Sequence, residues 1–422
     1  MERRSLKILI GLTLTIIILC TSFIISCKSQ PTTTAAPTSA TTSTTSTKTP
    51  EVKTLNIGVI LWLGWGLGID SKNGMELSAY LINNSGGLTI GGEKYKVNFI
   101  IYDDNNNDAT ARSALNRLIF EDKVKFVVVG SNFEVGLYPT IESNKVIMIG
   151  SSTQDDILSP KLHYCFRGNP AACYGTVLPA WMMRYAPEKK NWFLVNYDNQ
   201  AGHASAAFSE KVLKGSGATV TTMYIPVGSS DLSAMATKVK TLNPDVFMPS
   251  TGVEQDALCF KAVYQAGYRG QLFNPGAAPV GAMMAIAGPD VIQGMIKGED
   301  PVHLDPPATQ LGKDFKDAWI AKFGKWENPT LLYHINWTCL QAALQKAGSI
   351  DVDKVADVIT AGLQWDSPSG SYQMIERTDL GNNRTVDCVE DVYPVKIVGS
   401  NVRLIEHMSL ADSYAIYKKF NQ

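Results

Sequence analysis

The chain has 422 residues, 45% of them hydrophobic, with 38 basic and 39 acidic side chains and a net charge of −1. The charges are dispersed and form no basic stripe to neutralise phosphates, which argues against nucleic acid as a partner. Past its N-terminal segments the chain is too long for one ordinary core and suits two lobes.

Arg3, Arg4 and Lys7 precede an apolar run over residues 8–25, the layout of an export signal. The run closes on Ile24-Ile25-Ser26-Cys27, which resembles a bacterial lipobox. Cleavage there makes 1–26 the signal and leaves Cys27 as the first residue, with lipid on its sulfur and amine. Cys20 is a poorer cleavage point because Leu19, not a small residue, precedes it. An uncleaved membrane helix is the other reading, since such a run just reaches bilayer-spanning length. Both tie the remainder to the outer side of a membrane. Residues 27–50 read as a disordered tether: positions 30–50 hold ten threonines, three serines and three prolines, with no aromatic residue. Such a segment buries too little apolar surface to offset its ordering entropy. A flexible chain of this length reaches roughly 25–30 Å.

From residue 51 short apolar runs alternate with amphipathic ones. Residues 55–61 predict a buried strand, and 74–83 a helix with Met75, Ala79 and Ile82 on one face. A strand follows at 97–102. Asp108 stands where a helix N-cap belongs, and Ala111, Leu115, Leu118 and Ile119 line one side of that helix. Strands at 126–129 and 146–149 continue the series. A second series has strands at 193–196, 219–225, 246–248 and 271–273, with helices at 204–213, 232–242 and 255–266. Gly217, Gly267 and Gly270 mark helix ends, and Pro244 precedes a strand. This alternation implies right-handed crossovers and mostly parallel sheets covered on both faces. A third portion offers helices at 311–323, 331–347 and 352–361, then strands near 372–375, 392–398 and 402–405.

Five cysteines fall in this region: Cys165, Cys173, Cys259, Cys339 and Cys388. Cys165 and Cys173 suit a short disulfide loop in an oxidising compartment, whereas free buried cysteine behaves as a small apolar residue. No pair has the spacing of a zinc knuckle.

Residues 55–60 (Leu-Asn-Ile-Gly-Val-Ile), Gly74-Met75-Glu76-Leu77 and Ile82-Asn83-Asn84-Ser85-Gly86-Gly87 resemble the opening of the branched-chain amino-acid (Leu/Ile/Val) type of periplasmic binding protein. Tyr102-Asp103-Asp104 with Asp108, Val129-Gly130-Ser131, residues 197–202 (Tyr-Asp-Asn-Gln-Ala-Gly), Asp231-Leu232-Ser233-Ala234, Asn243-Pro244-Asp245 and Gln265-Ala266-Gly267-Tyr268 extend the match to about residue 405. The resemblance implies an α/β fold: a type I clamshell of two doubly wound parallel-sheet lobes with a three-segment hinge. Crossings are expected near Phe166-Arg167-Gly168, 297–301 and 365–370. Lobe 1 then takes 51–166 and 301–366, and lobe 2 takes 167–300 and 367–422. It further implies a monomeric receptor that delivers its solute to an ABC permease and its ATPase, without cofactor or metal.

In open α/β sheets ligands sit beyond the carboxyl ends of the strands. Helix starts there carry unsatisfied N–H groups that suit carboxylates. The expected first-lobe contacts are Trp65, Ser131, Asn132, Phe133, Ser151, Ser152 and Thr153. The resemblance gives the 151–153 turn the role of binding the ligand's carboxylate. Expected second-lobe contacts are Tyr197, Gln200, Gly252, Glu254, Gly276 and Ala277. Two departures weaken an amino-acid amine site. Ala201 replaces the aromatic residue that precedes the glycine, and Pro275-Gly276-Ala277 lacks the expected acid. Glu134 or Glu254 would have to substitute, because a buried ammonium without a counter-charge is costly. Trp62 reads as core, whereas Trp65 lies among glycines 64, 66 and 68. The expected ligand is a small carboxylate with an apolar or aromatic body, an amino acid among the options.

Enzymatic readings find little. The glycines at 64, 66 and 68 fall short of a dinucleotide fingerprint, whose third glycine would be Ile69. No nucleophile elbow, phosphate loop or helical histidine pair is present. The stretch from Asp104 to Asp108 lacks the turn glycine and terminal glutamate of a calcium loop. A ligand sensor signalling to a membrane receptor is the remaining alternative.

Overall fold

A computed structural model describes residues 52–153, 155–276, 278–380 and 386–421. The expected signal, Cys27 and the tether lie outside them. The chain runs through β1 (Lys53–Leu61), α1 (Gly66–Asn84), β2 (Leu88–Ile90), β3 (Glu93–Asp103), α2 (Asp108–Phe120), β4 (Phe126–Gly130), α3 (Tyr138–Asn144), β5 (Ile147–Gly150) and β6 (Cys165–Arg167). These strands form one sheet in the order β2-β3-β1-β4-β5-β6. All but β2 run parallel, with Ile57 beside Phe99 and Gly58 beside Val127. β4 is buried throughout, as an unbroken apolar run on a doubly covered sheet requires.

Helix α4 (Ala171–Tyr185) leads to β7 (Asn191–Tyr197), α5 (Gln200–Gly215), β8 (Thr219–Ile225), α6 (Ser233–Leu242), β9 (Val246–Ser250), α7 (Val253–Gln265), β10 (Gln271–Asn274), α8 (Val280–Ala287) and β11 (Ile296–Glu299). Then come α9 (Gln310–Phe323), α10 (Leu332–Ala347), α11 (Val352–Thr360), β12 (Gln364–Ser367), β13 (Gly370–Glu376), β14 (Val386–Glu390), β15 (Tyr393–Val398), β16 (Asn401–Leu404) and α12 (Leu410–Asn421). The second large sheet has the order β16-β15-β11-β10-β9-β7-β8, and β12-β13-β14 form a small antiparallel sheet.

Each large sheet has a core on both faces. One face of the first packs against α10 and α11 through Ile57, Val128, Ile335, Leu340 and Ile359, and the other against α2 and α3 through Leu115, Leu118 and Ile141. The second sheet packs α6, α7 and α8 on one side, and α4 and α12 on the other. β6 of the first sheet runs into α4 of the second. β11 runs back toward α9, and β14 into β15.

One cap differs from expectation. Asn107, in extended conformation, caps α2 by accepting the Thr110 N–H at 3.1 Å. Asp108 is instead the first helical residue and pairs with Arg112 at 2.9 Å.

All five cysteines are free and buried. Cys165 and Cys173 sit in different cores, so the short disulfide loop does not form. Burial raises every one of these thiols above its ordinary range. The native domain should therefore leave these five thiols unlabelled by an aromatic disulfide reagent until denaturant unfolds it. Labelling of any of the five at the native rate of an exposed thiol would contradict this packing.

Candidate functional site

Parallel pairing brings the carboxyl ends of β1, β3, β4 and β5 to one edge of the first sheet. After β1, half-buried Trp62 and Trp65 pack with their rings tilted at 38° and centroids 5.6 Å apart, and Trp65 sits at the extended N-cap of α1. Trp62, expected in the core, is thus part of the same loop surface. After β4, Ser131 Oγ accepts the Phe133 N–H at 3.1 Å, and exposed Asn132 donates to Asn106 Oδ1 at 2.9 Å. Phe133 packs partly against the α2 core.

The turn after β5, expected to receive a ligand's carboxylate, already holds one of the protein's own. Glu134 Oε1 accepts the Ser151 N–H at 2.8 Å, and Oε2 accepts the Ser152 N–H at 2.9 Å. Glu134 is only 2% exposed. Burial pushes its carboxyl up to about 7, against the pull of those N–H groups. Ser151 Oγ meanwhile accepts from Asn336 Nδ2 at 2.7 Å. Thr153 is half-buried beside them. An anion at this turn would find the Ser151 and Ser152 N–H groups already engaged by Glu134.

The second sheet gathers the ends of β7, β9 and β10 in the same way. Tyr197 closes β7, and exposed Gln200 opens α5. Gly252 is the N-cap of α7 at φ 116, a conformation that favours glycine, and Glu254 is exposed in the first turn. Sequence reasoning missed Asp256, which organises this end. It is 4% exposed and accepts the Thr251 N–H at 2.8 Å, the Thr251 hydroxyl at 2.6 Å and Asn274 Nδ2 at 2.9 Å. Burial pushes it up to about 6. Asn274 Oδ1 in turn accepts the Gly276 N–H at 3.1 Å. Burial, then Asp256, pushes the Tyr197 phenol up to about 12. Ala277 lies outside the described residues.

Buried charge is concentrated where the chain passes between the large sheets. Arg167 Nη1 lies 3.1 Å from both carboxylate oxygens of Asp387, and both side chains are fully buried. Tyr417 also donates to Asp387. Beside β11, Glu299 accepts from Lys297 at 3.0 Å and from His303 Nδ1 at 2.8 Å, while His303 Nε2 faces the Pro329 carbonyl at 3.1 Å. Both imidazole nitrogens face acceptors, an arrangement that favours the doubly protonated ring. Burial is the largest effect and opposes that charge, but the Glu299 hydrogen bond and the charges of Glu299 and Asp300 together outweigh it, leaving the His303 pKa raised. Among the described residues no group of three His, Cys, Asp or Glu side chains is placed to hold a metal, and no helix is long and apolar enough to cross a membrane.

The Periplasmic binding protein family matches the chain over residues 63–397. The Leu/Ile/Val-binding protein homolog 3 of Brucella melitensis is 24% identical over 340 residues, covering 78% of this chain and 89% of that protein. Among solved structures, the leucine binding protein LivK of Thermotoga maritima superposes with a TM-score of 0.69 at 19% identity, over 85% of this chain and 99% of its own. An ABC-transporter solute-binding protein of Rhodopseudomonas palustris in complex with 4-hydroxybenzoate gives 0.69 at 17% identity, over 87% and 100%. These neighbours share the type I fold, and they are solute-binding receptors rather than enzymes. The chain belongs to the periplasmic binding protein family.

Proposed function

We propose that this chain is the extracytoplasmic receptor of an ABC uptake transporter, closing two hinged lobes on a small organic solute with an apolar or aromatic body. Lobe 1 is 51–166 with 301–366, lobe 2 is 167–300 with 367–422, and lipid on Cys27 holds the receptor at the membrane. The observation that carries this reading is the pair of mostly parallel sheets whose strand-end loops bear aromatic residues, Trp62, Trp65 and Phe133 on one and Tyr197 on the other. Relatives named for leucine and for hydroxybenzoate support a solute of that size. A ligand that touches both sets of loops only when the lobes meet shifts the population toward the closed form by its differential affinity. The permease then reads the closed surface.

Screening a metabolite library for thermal stabilisation tests this directly, since a ligand at a hundred times its Kd adds about 2.7 kcal/mol. The ligand so found should bind Trp65→Ala about tenfold or more weakly, as loss of a buried aromatic contact requires. The melting temperature of the unliganded variant should stay near wild type. An unchanged affinity would remove Trp65 from the site. A complete absence of stabilising solutes would count against the receptor.

A further inference from the structure

At the end of β5 the backbone donors that would suit an anion already serve an acid of the chain itself. The two N–H groups at the end of β5 are taken by Glu134. That carboxylate fills the space beside Gly150, where an added Cβ would lie 2.3 Å from Glu134 Oε2. The nearby guanidinium of Arg167 pairs with Asp387 and Asp155.

Several fully buried oxygens around this edge have no hydrogen-bond donor among the described residues. Asp104 Oδ2, just past β3, is one. Its Oδ1 accepts the Asn106 N–H at 2.8 Å, while Oδ2 accepts nothing. Asn336 Oδ1 is another, and the amide cannot turn round because its Nδ2 donates to the Val129 carbonyl at 3.2 Å and to Ser151 Oγ. Asn169 Oδ1, past β6, is a third. On the second sheet, Asn196 Oδ1 near the end of β7 is fixed likewise, by Nδ2 on the Ser250 carbonyl at 3.3 Å. The Tyr333 ring lies against Gly130, where an added Cβ would sit 2.3 Å from it, and both Glu134 and Asp104 act on its phenol. Both acids therefore lie near the Tyr333 phenol. Buried acceptors without donors are costly, and a bound molecule that supplies N–H groups removes the cost.

We propose that the solute is a small amine or amide with an apolar body, which turns N–H donors toward Asp104, Glu134 and Asn336 and carries no carboxylate at the first-sheet end. This rests on the strand ends being the binding site. It replaces an anion subsite with one for hydrogen-bond donors, and the resident Glu134 carboxylate is the selecting element.

Calorimetry on the full chain with matched pairs tests it: leucinamide against leucine, benzylamine and benzamide against benzoate, isoamylamine against isovalerate. Wild type should bind the amine or amide of a pair at least about tenfold more tightly than the acid, one missing charge-assisted contact being worth that much. Glu134→Ser frees both N–H groups and should raise acid affinity by about tenfold or more while weakening the amine. Equal or tighter binding of the acids by wild type overturns the proposal, and needs no variant to fold. So does a folded Glu134→Ser protein with unchanged preference. If the metabolite library yields only carboxylic acids, this inference fails and the receptor reading stands. If neither the library nor any pair gives binding, both fail.

Discussion

Replacing Asp387 with alanine should cost about 3–5 kcal/mol of stability, the usual penalty for removing one partner of a buried ion pair. The substitution strands Arg167, whose side chain is fully buried and whose other carboxylate partner, Asp155, is 53% exposed at 3.4 Å. It also deprives the Tyr417 hydroxyl and the Cys388 N–H, the latter at 2.8 Å, of their acceptor. Urea unfolding should show a lower midpoint with an unchanged slope. The matched Asp155→Ala change, at a largely exposed position, should cost under about 1 kcal/mol. Similar midpoints for the two variants would mean that the Arg167–Asp387 contact does not anchor the passage from β6 to α4.

The unliganded domain should be more stable near pH 5 than near pH 8. Glu134 has a folded pKa of about 7, and Asp256 and Asp300 about 6, in each case chiefly because burial disfavours the ionised form. Their unfolded values are near 4. Between those limits the folded chain holds protons that the unfolded chain has released, so stability falls as pH rises. Glu390, raised by burial and then by Asp300, acts in the same sense. So does His303, whose raised pKa gives stability below its unfolded value that is lost as pH rises through the folded one. Glu299 works the other way: burial opposes its charge, but Lys297 and His303 lower it, so its contribution is lost only as pH falls below about 4.5. Glu134 alone accounts for a change on the order of 3 kcal/mol. Glu134→Gln should flatten the urea midpoint against pH by that amount. A midpoint that rises from pH 5 to pH 8 in wild type would contradict the burial of these carboxyls.

The elements legible in the sequence are those whose burial matches their hydropathy. β1, β4, β8 and α2 are apolar where they are buried, and their expected positions agree with the structure to within a residue or two. The unforeseen ones break that match. β6 carries Arg167, β11 carries Lys297 and Glu299, and β14 carries Asp387 and Glu390, all buried. Polarity read as exposure hides such strands. α4 is apolar on nearly every side and contains Pro179, so it shows neither a stripe nor an uninterrupted run. At the site, the loops and their aromatic residues were readable from strand ends. The inward turn of Glu134 was not, because its partners lie 17 and 18 residues further along the chain. Asp256 escaped notice for a related reason: four residues beyond the N-cap it looks like an ordinary first-turn acid, and only the fold delivers Asn274 to it.

The small sheet serves two masters. Trp365, Tyr372, Met374 and Cys388 complete the core of the first large sheet, while Ile375 and Val389 complete that of the second. Grafting one half of this receptor onto a relative would therefore succeed only if β12, β13 and β14 travelled as a block with matching complements on either flank. A chimaera cut anywhere inside them would inherit two incomplete interiors at once, which makes this ribbon the part of the molecule least free to drift.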